Sequence, residues 1–246
     1  MIYQTFAKLY DDLFDSDLYD DWLTYATTEI EQPKQPLLEL ACGAGRLAVM
    51  LASAGVPVTG FDLSEEMLSL ADQHAQEAGV SLPLIQGDMR DLTGLSRFQT
   101  VTCFADSLCY LTDEAALQTV FEQVYQHLND GGQFLFDVIS PYQTDEVYPG
   151  YMYNYQDENQ AFLWESSSDT MPHSVIHDLT FFTYNQQKEA FDRVVETHHE
   201  RTYPVETYLL RLKQSGFEDV SVTAEFGTQV VQKTTTRWFF SCRKRR

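Results

Sequence analysis

Basic residues are scarce in this chain: 16 Lys and Arg stand against 37 Asp and Glu in 246 residues, a formal net charge of −21. So negative a surface repels phosphate backbones, which argues against DNA or RNA as a bulk partner. Only the closing Arg-Lys-Arg-Arg, Arg243 to Arg246, gathers positive charge, and a solvated tail is expected there. Cysteine is also sparse. Cys42, Cys103, Cys109 and Cys242 are irregularly spaced and form no Cys-x-x-Cys pair, so neither a zinc site nor a disulfide framework is suggested. Reduced thiols in a cytoplasmic protein fit that usage. No apolar run approaches the ~20 residues that a membrane span requires. The opening "MIYQTFAKLYDDLFDSD" lacks the basic start and continuous apolar core of a signal peptide. A soluble cytoplasmic protein with no membrane partner is expected.

Apolar residues are not lacking. They make up 43% of the chain, with 13% aromatic, enough for a real core in one large domain or one domain with an insertion. From residue 36 short apolar runs alternate with helical patterns. "PLLELA", "VPVTGFD", "SLPLIQGD", "FQTVTCFADS" and "GQFLFDVIS" read as five strands. Between them lie "GRLAVMLASAG", closed by Gly55, and "SEEMLSLADQHAQEAG", capped by Ser64 and ended by Gly79. The next helix, "TDEAALQTVFEQVYQHLNDGG", has its N-cap at Thr112 or Asp113 and a Gly-Gly stop. Such alternation with short connections predicts right-handed crossovers and a parallel, Rossmann-like sheet with helices on both faces. Residues 1–30 look helical, with Tyr3, Phe6 and Tyr10 on one stripe. After Ser140-Pro141 the pattern becomes antiparallel β: "HSVIHDLTFFTYN" and "FDRVVETHHERTY" look like two arms of a hairpin. A helix, "VETYLLRLKQSGF", and two strands close the chain. The expected division is one domain over 1–246, with a helical lid at 1–30, a core at 36–140, an inserted β lobe at 141–203 and closing elements at 204–246.

In such sheets ligands sit beyond the carboxyl ends of the strands, where strand order reverses. Gly43 and Gly45 follow the first strand directly and let the backbone approach a ligand at a helix N-terminus; with Ala48 they complete Gly-x-Gly-x-x-Ala. That turn alone fits a dinucleotide or a plain βα turn. Asp62 closes the second strand seventeen residues after Gly45, where a ribose diol would lie. Asp88 follows the third strand and can accept a hydrogen bond from the exocyclic amine of adenine, with Met89 packing on the ring. Glu39 stands inside an otherwise apolar strand, and a buried carboxylate is costly unless paired. The α-amino group of S-adenosylmethionine would pair it; NAD offers no such cation near this turn.

"LLELACGAGRL", "VTGFDLSEEML", "LIQGDMRDL", "FADSLCYL" and "LNDGGQFLFDV" together resemble the successive motifs of class I S-adenosylmethionine-dependent methyltransferases, over residues 36 to 140. The resemblance implies a seven-stranded sheet whose last strand runs antiparallel. It implies that Ala41, Gly43 and Gly45 contact the methionine part, that Asp62 binds both ribose hydroxyls with Leu63 beside adenine, and that Asp88 and Met89 hold adenine. Phe104, Ala105 and Asp106 would line the cofactor near its sulfonium, with Met67 also in the binding set. Tyr3, Tyr10 and Arg46 are candidates for the cofactor carboxylate. The family usually has Gly where this chain has Ala41. "FADS" also departs from the Asn/Asp-Pro-Pro-Tyr of enzymes that methylate nucleobase amino groups.

Methyl transfer needs a general base only when the acceptor arrives protonated. Asp106 is a candidate, as are His173, His177, His198 and His199; adjacent strand residues face opposite ways, so at most one of the last two faces a site. The run Glu196 to Glu200 lacks a helix or a third ligand for a metal, and no metal is expected. The lobe resembles the β insertions that small-molecule N- and O-methyltransferases place over the acceptor. Its aromatics (Tyr151, Tyr153, Tyr155, Phe162, Trp164, Phe181, Phe182, Tyr184) would then form a lobe core or an acceptor pocket. The expected function is methyl transfer to a small-molecule N or O acceptor. The alternatives are an NAD(P)-dependent oxidoreductase, against which stand Glu39, Asp88 and the lack of a Tyr-x-x-x-Lys set, and a non-catalytic cofactor-binding protein.

Overall fold

The computed structural model describes residues 16–111 and 113–246. Tyr3, Phe6, Tyr10 and the alternative cap Thr112 lie outside them. The chain begins with helix α1 (Ser16–Glu29) and then alternates through β1 (Leu37–Leu40), α2 (Arg46–Ser53), β2 (Val58–Asp62), α3 (Glu65–Ala78), β3 (Leu84–Gln86) and β4 (Phe98–Cys103). A 3-10 turn (Ser107–Tyr110), α4 (Glu114–His127) and β5 (Leu128–Ile139) follow. Four strands then form the lobe: β6 (Met152–Gln156), β7 (Gln160–Ser168), β8 (Ser174–Asn185) and β9 (Ala190–Arg201). Helix α5 (Val205–Ser215) returns to the core, and β10 (Phe217–Thr223) and β11 (Arg237–Lys244) close it.

The core sheet has seven strands in the order β10-β11-β5-β4-β1-β2-β3, parallel except for β11, which runs antiparallel to both neighbours. The lobe is a separate antiparallel sheet, β6-β7-β8-β9. This is the Rossmann-like sheet with an inserted β lobe that the sequence predicts. Its chain order steps outward from β1 to β2 and β3, then jumps back to β4 on the other side of β1. The switch point therefore lies between β1 and β4, and the segments leaving those strands face the ligand edge.

Strand alternation divides the core between two faces. Leu37, Leu135 and Phe239 pack with Trp22, Ala48, Leu51 and Ala75 of α1, α2 and α3. Leu38, Phe134, Phe136 and Phe240 pack with Phe121, Val124, Tyr208 and Leu212 of α4 and α5. On the second face Phe136 stacks on Phe240 at 4.6 Å, and truncating a ring so enclosed costs about 3–5 kcal/mol. Glu39 shares the first face with Leu37, so it enters the sheet's interior rather than solvent.

Local signals hold well. Ser64 Oγ accepts from Met67 N at 3.1 Å, Asp113 Oδ1 accepts from Ala116 N at 2.7 Å, and Gly79 and Gly216 end α3 and α5 in the left-handed conformation. Two expectations need correction. Gly131-Gly132 does not stop α4: the chain turns extended at Leu128, whose buried side chain and pairing with Phe98 draw it into the sheet. Nor is the basic C-terminus wholly a solvated tail. Arg243 pairs with Gln133 of β5 and Lys244 with Phe217 of β10; Lys244 buries its stem, donates to Leu128 O at 2.9 Å and lies 4.9 Å from the Tyr125 ring centre, while Arg243 also pairs with Glu31.

Candidate active site

Two cavities adjoin at the ligand edge. The smaller, about 260 Å³, is lined by Ala41, Asp62, Leu63, Asp88 and Met89, with Phe61, Arg90 and Leu111 around them. The larger, about 410 Å³, lies between the core and the lobe sheet. Tyr110, at the end of the 3-10 turn, lines both.

Beside the smaller cavity the loop after β1 takes the left-handed conformation at Ala41 (φ 52°), Gly43 (φ 53°) and Gly45 (φ 73°). At Ala41 that costs on the order of 1–2 kcal/mol, which a glycine would not incur. A Cβ on Gly45 would lie 2.6 Å from the Ala71 Cβ, so this residue lets α2 start against α3; a Cβ on Gly43 would meet no atom within 4 Å, only open space. Asp62 braces the loop: Oδ2 accepts from Gly43 N at 2.8 Å and Oδ1 from Ser64 N at 2.9 Å. Each oxygen keeps a lone pair for a further donor. Burial raises the Asp62 pKa, and those backbone donors oppose the rise.

Glu39 is 4% exposed and its Oε2 has no hydrogen-bond partner among the described residues. Burial, helped by the Asp62 charge, raises its pKa to about 8. Across the smaller cavity Asp88 is held by Arg90 through Nε and Nη2, at 3.0 and 2.5 Å, which lowers its pKa. The pair is largely exposed and hence screened. Arg46 opens α2, partly buried. Met67 supplies a backbone donor to Ser64 but lines neither cavity, and Phe104 is buried in the core beside Tyr25.

Two successive left-handed residues, Ala105 (φ 57°) and Asp106 (φ 62°), turn the chain out of β4 into the larger cavity's wall. Both oxygens of Asp106 are engaged by Arg237 of β11, which also donates to Asp137 Oδ2 at 2.7 Å. Trp22 Nε1 adds a bond to the same Asp137 oxygen at 2.9 Å. Desolvation raises the Asp137 pKa to about 6, with Arg237 pulling against it.

On the lobe side Tyr151, Tyr153, Phe162, Trp164 and Phe181 line the cavity, whereas Tyr155, Phe182 and Tyr184 do not. Phe162, Leu179 and Phe181 also make the lobe's own small core. His177 and His198 line the cavity; His199 is exposed, and His173 pairs with Asp145 away from it. Glu200, also in the wall, is 8% exposed.

Three of these groups escape sequence reasoning, and one signal was available. Asp137 interrupts the apolar run "FLFDVI" as Glu39 interrupts "LLEL", so the same argument would have found it. Arg237 and Glu200 reach the site from strands far along the chain and carry no local motif.

A methyltransferase-domain family matches residues 37–132, the stretch from β1 to the start of β5. YqeM of Bacillus subtilis (strain 168), which bears a methyltransferase name, is 40% identical over 245 residues, 99% of this chain and 98% of its own. The chain is a class I S-adenosylmethionine-dependent methyltransferase. The crystal structure of an S-adenosylmethionine-dependent methyltransferase from Clostridium acetobutylicum ATCC 824 superposes on this methyltransferase with a TM-score of 0.85, at 28% identity, covering 99% of each chain. A Streptomyces fradiae dTDP-3-amino-3,6-dideoxy-alpha-D-glucopyranose N,N-dimethyltransferase is 28% identical over 196 residues, 77% of this chain and 71% of its own. The residues present fit the cofactor: a buried carboxylate oxygen without a partner suits an α-ammonium group, and the space before Gly43 suits close approach to backbone.

Proposed function

We propose that this methyltransferase acts on the nitrogen or oxygen of a small molecule held in the cavity between core and lobe. The observation that carries the reading is Tyr110, which walls both cavities and so joins a nucleoside-sized site to a mostly aromatic one. When bound, S-adenosylmethionine supplies a methyl group on a sulfonium, open to in-line displacement. This chain's residues then have to bind, orient and exclude water.

In this reading Glu39 holds the α-ammonium, Arg46 serves the carboxylate together with the N-terminal segment, and Ala41, Gly43 and Gly45 shape the turn around the methionine part. Asp62 keeps its bracing bonds and uses its remaining lone pairs on the ribose hydroxyls, with Leu63 beside the adenine. Asp88 exchanges its exposed partner Arg90 for the adenine amine, over which Met89 packs. Ala105 borders the transfer point, with Phe104 behind it. Asp106, whose two oxygens are taken by Arg237, shapes the wall rather than acting as base. Residues 141–203 form the acceptor-holding lobe, and α1 contributes Leu18 and Trp22 to the same cavity. The four free cysteines, three of them buried, suit a reducing cytoplasm.

The test is incubation of the purified protein with S-adenosylmethionine and a fractionated small-molecule extract, reading release of S-adenosylhomocysteine and the mass of the methylated product. Methyl transfer to low-mass fractions supports the reading. Transfer confined to protein or nucleic acid, or no release with any fraction, overturns it.

A further inference from the structure

Positions 196, 198 and 200 of β9 share one face of the lobe sheet, and Glu200 is the buried member of that row. Tyr110, whose hydroxyl lies 3.1 Å from His198 Nδ1, helps to stabilise its charged form, and Oε2 lies 3.8 Å from Nε2 of His177. His177 gives it no positive charge. Trp164 Nε1, which can only donate, lies 3.1 Å from His177 Nδ1, so Nδ1 accepts and the ring is neutral with its proton on Nε2. Burial pushes the His177 pKa down to about 4. The nearby cation, Arg237, is bound to Asp106 and Asp137. Among the described residues no Lys or Arg forms an ion pair with Glu200. An acid this buried, in the wall of a large cavity, lacks a counter-charge.

The cavity's other walls are mostly aromatic, and its second carboxylate, Asp106, is taken up by Arg237. Tyr148 lies 6.4 Å from Trp164 between ring centres and 4.7 Å from His177, so ring faces and edges surround the space beside Glu200. Aromatic walls around one carboxylate without an ion-pair partner recognise a cation on an apolar or ring-shaped body. Beside a neutral hydroxyl the buried carboxyl keeps its proton, its pKa raised by burial to about 8, whereas an ammonium group draws it into the charged form and pairs with it.

We infer that the acceptor is an amine that enters as its ammonium form, with Glu200 as its counter-ion and the first acceptor of its proton. The inference rests on the larger cavity being the acceptor site. In the step it describes, an ammonium N–H bond breaks, the proton passes to a Glu200 oxygen and the electron pair stays on nitrogen. That pair then forms the N–C bond to the methyl carbon while the C–S bond breaks and its electrons go to sulfur. Tyr110, beside Glu200 in the same wall, is a positioning residue.

The experiment is ligand-observed NMR on the protein saturated with S-adenosylhomocysteine, using matched probes: cyclohexylamine against cyclohexanol, and 2-phenylethylamine against 2-phenylethanol. Both amines should bind at least about tenfold more tightly than their alcohols, because only an ammonium group forms an ion pair with Glu200 in the desolvated wall. Glu200→Gln should abolish that preference without changing affinity for S-adenosylhomocysteine, and Glu200→Asp should restore part of it. Equal binding of alcohols, an amine preference that survives in Glu200→Gln, or no binding of either amine overturns the inference. Titration with S-adenosylhomocysteine on the same samples keeps the outcomes apart: lost cofactor binding counts against the methyltransferase site, whereas intact cofactor binding without amine preference counts only against the role of Glu200.

Discussion

Arg237 in the last strand holds Asp106 at the end of β4 with both terminal nitrogens, Nη1 to Oδ1 at 2.5 Å and Nη2 to Oδ2 at 2.7 Å. The same guanidinium neutralises Asp137, which is fully buried, and lies 5.4 Å from the centre of the Trp22 ring. One side chain thus ties β11 to β4, β5 and α1 beneath the larger cavity. Without it two carboxylates would face each other in a desolvated site.

Replacing Arg237 should therefore damage folding more than a surface ion pair would. Arg237→Met is expected to lower unfolding free energy by about 3–5 kcal/mol, the penalty for an uncompensated buried charge. Arg237→Lys should recover only part of it, since a single ammonium cannot span both carboxylates. Adding Asp137→Asn to Arg237→Met should restore stability beyond additivity, as the two residues share one network. Urea denaturation of the parent, Arg237→Met, Arg237→Lys, Asp137→Asn and the double variant checks this, and a midpoint unchanged in Arg237→Met would refute it.

The glycine turn separates folding from binding. Gly45→Ala places a Cβ 2.6 Å from Ala71 and keeps φ at 73°, so it should destabilise by more than about 2 kcal/mol. Gly43→Ala meets no atom of the protein and pays only for its left-handed φ, on the order of 1 kcal/mol. Its methyl group enters the space proposed for the cofactor, so affinity for S-adenosylhomocysteine should fall by about tenfold or more. Ala41→Gly should leave stability unchanged or raise it slightly. Thermal melting with and without S-adenosylhomocysteine measures both effects; equal cofactor affinity in Gly43→Ala would place the ligand elsewhere.

Much of this was legible because the signals are local. Strand–helix periodicity, Ser64 as a cap and Gly79 as a stop each act within a few residues, and each appears where the sequence puts it. The glycines and Asp62 also declare themselves, because a sharp turn and a strand-end acid have few alternative uses. What was not legible depends on tertiary partners. Whether Asp106 is free or held is decided by Arg237, 131 residues away. The same holds for Glu200, whose environment comes from Tyr110 and His177. The Gly-Gly stop failed for a related reason: burial of Leu128 in the core outweighed a local helix-ending signal.

The basic C-terminus should divide sharply in its effect. Lys244 donates to Leu128 O from a nearly buried position, so Lys244→Met keeps the stem's packing but leaves that carbonyl without its donor. A loss of about 1–3 kcal/mol is expected. Removing Arg245 and Arg246, which lie beyond β11, should change stability by less than about 0.5 kcal/mol. Denaturant melts of the two variants test the contrast, and equal effects would mean that the whole cluster behaves as a solvated tail.

Glu39 couples proton uptake, stability and cofactor binding. Its folded pKa of about 8 lies above the ordinary 4.5, so the native state keeps a proton that the unfolded chain sheds. Stability of the cofactor-free protein should therefore fall as pH rises from about 4.5 to about 8, then level off. Glu200, raised to about 8, and Asp137, raised to about 6, act in the same direction. Glu39→Gln removes one share of that slope and should be more stable than the parent at pH 7 without cofactor, by on the order of 1–3 kcal/mol. Binding should reverse the order. An α-ammonium group beside Glu39 favours the carboxylate, so wild-type protein should release up to one proton on taking up S-adenosylhomocysteine at pH 7. Calorimetry in two buffers of different ionisation enthalpy reads that proton directly. Glu39→Gln should bind at least about tenfold more weakly and release none. A variant that binds S-adenosylhomocysteine as tightly as the parent, with the same proton release, would show that the buried carboxylate serves some other cation.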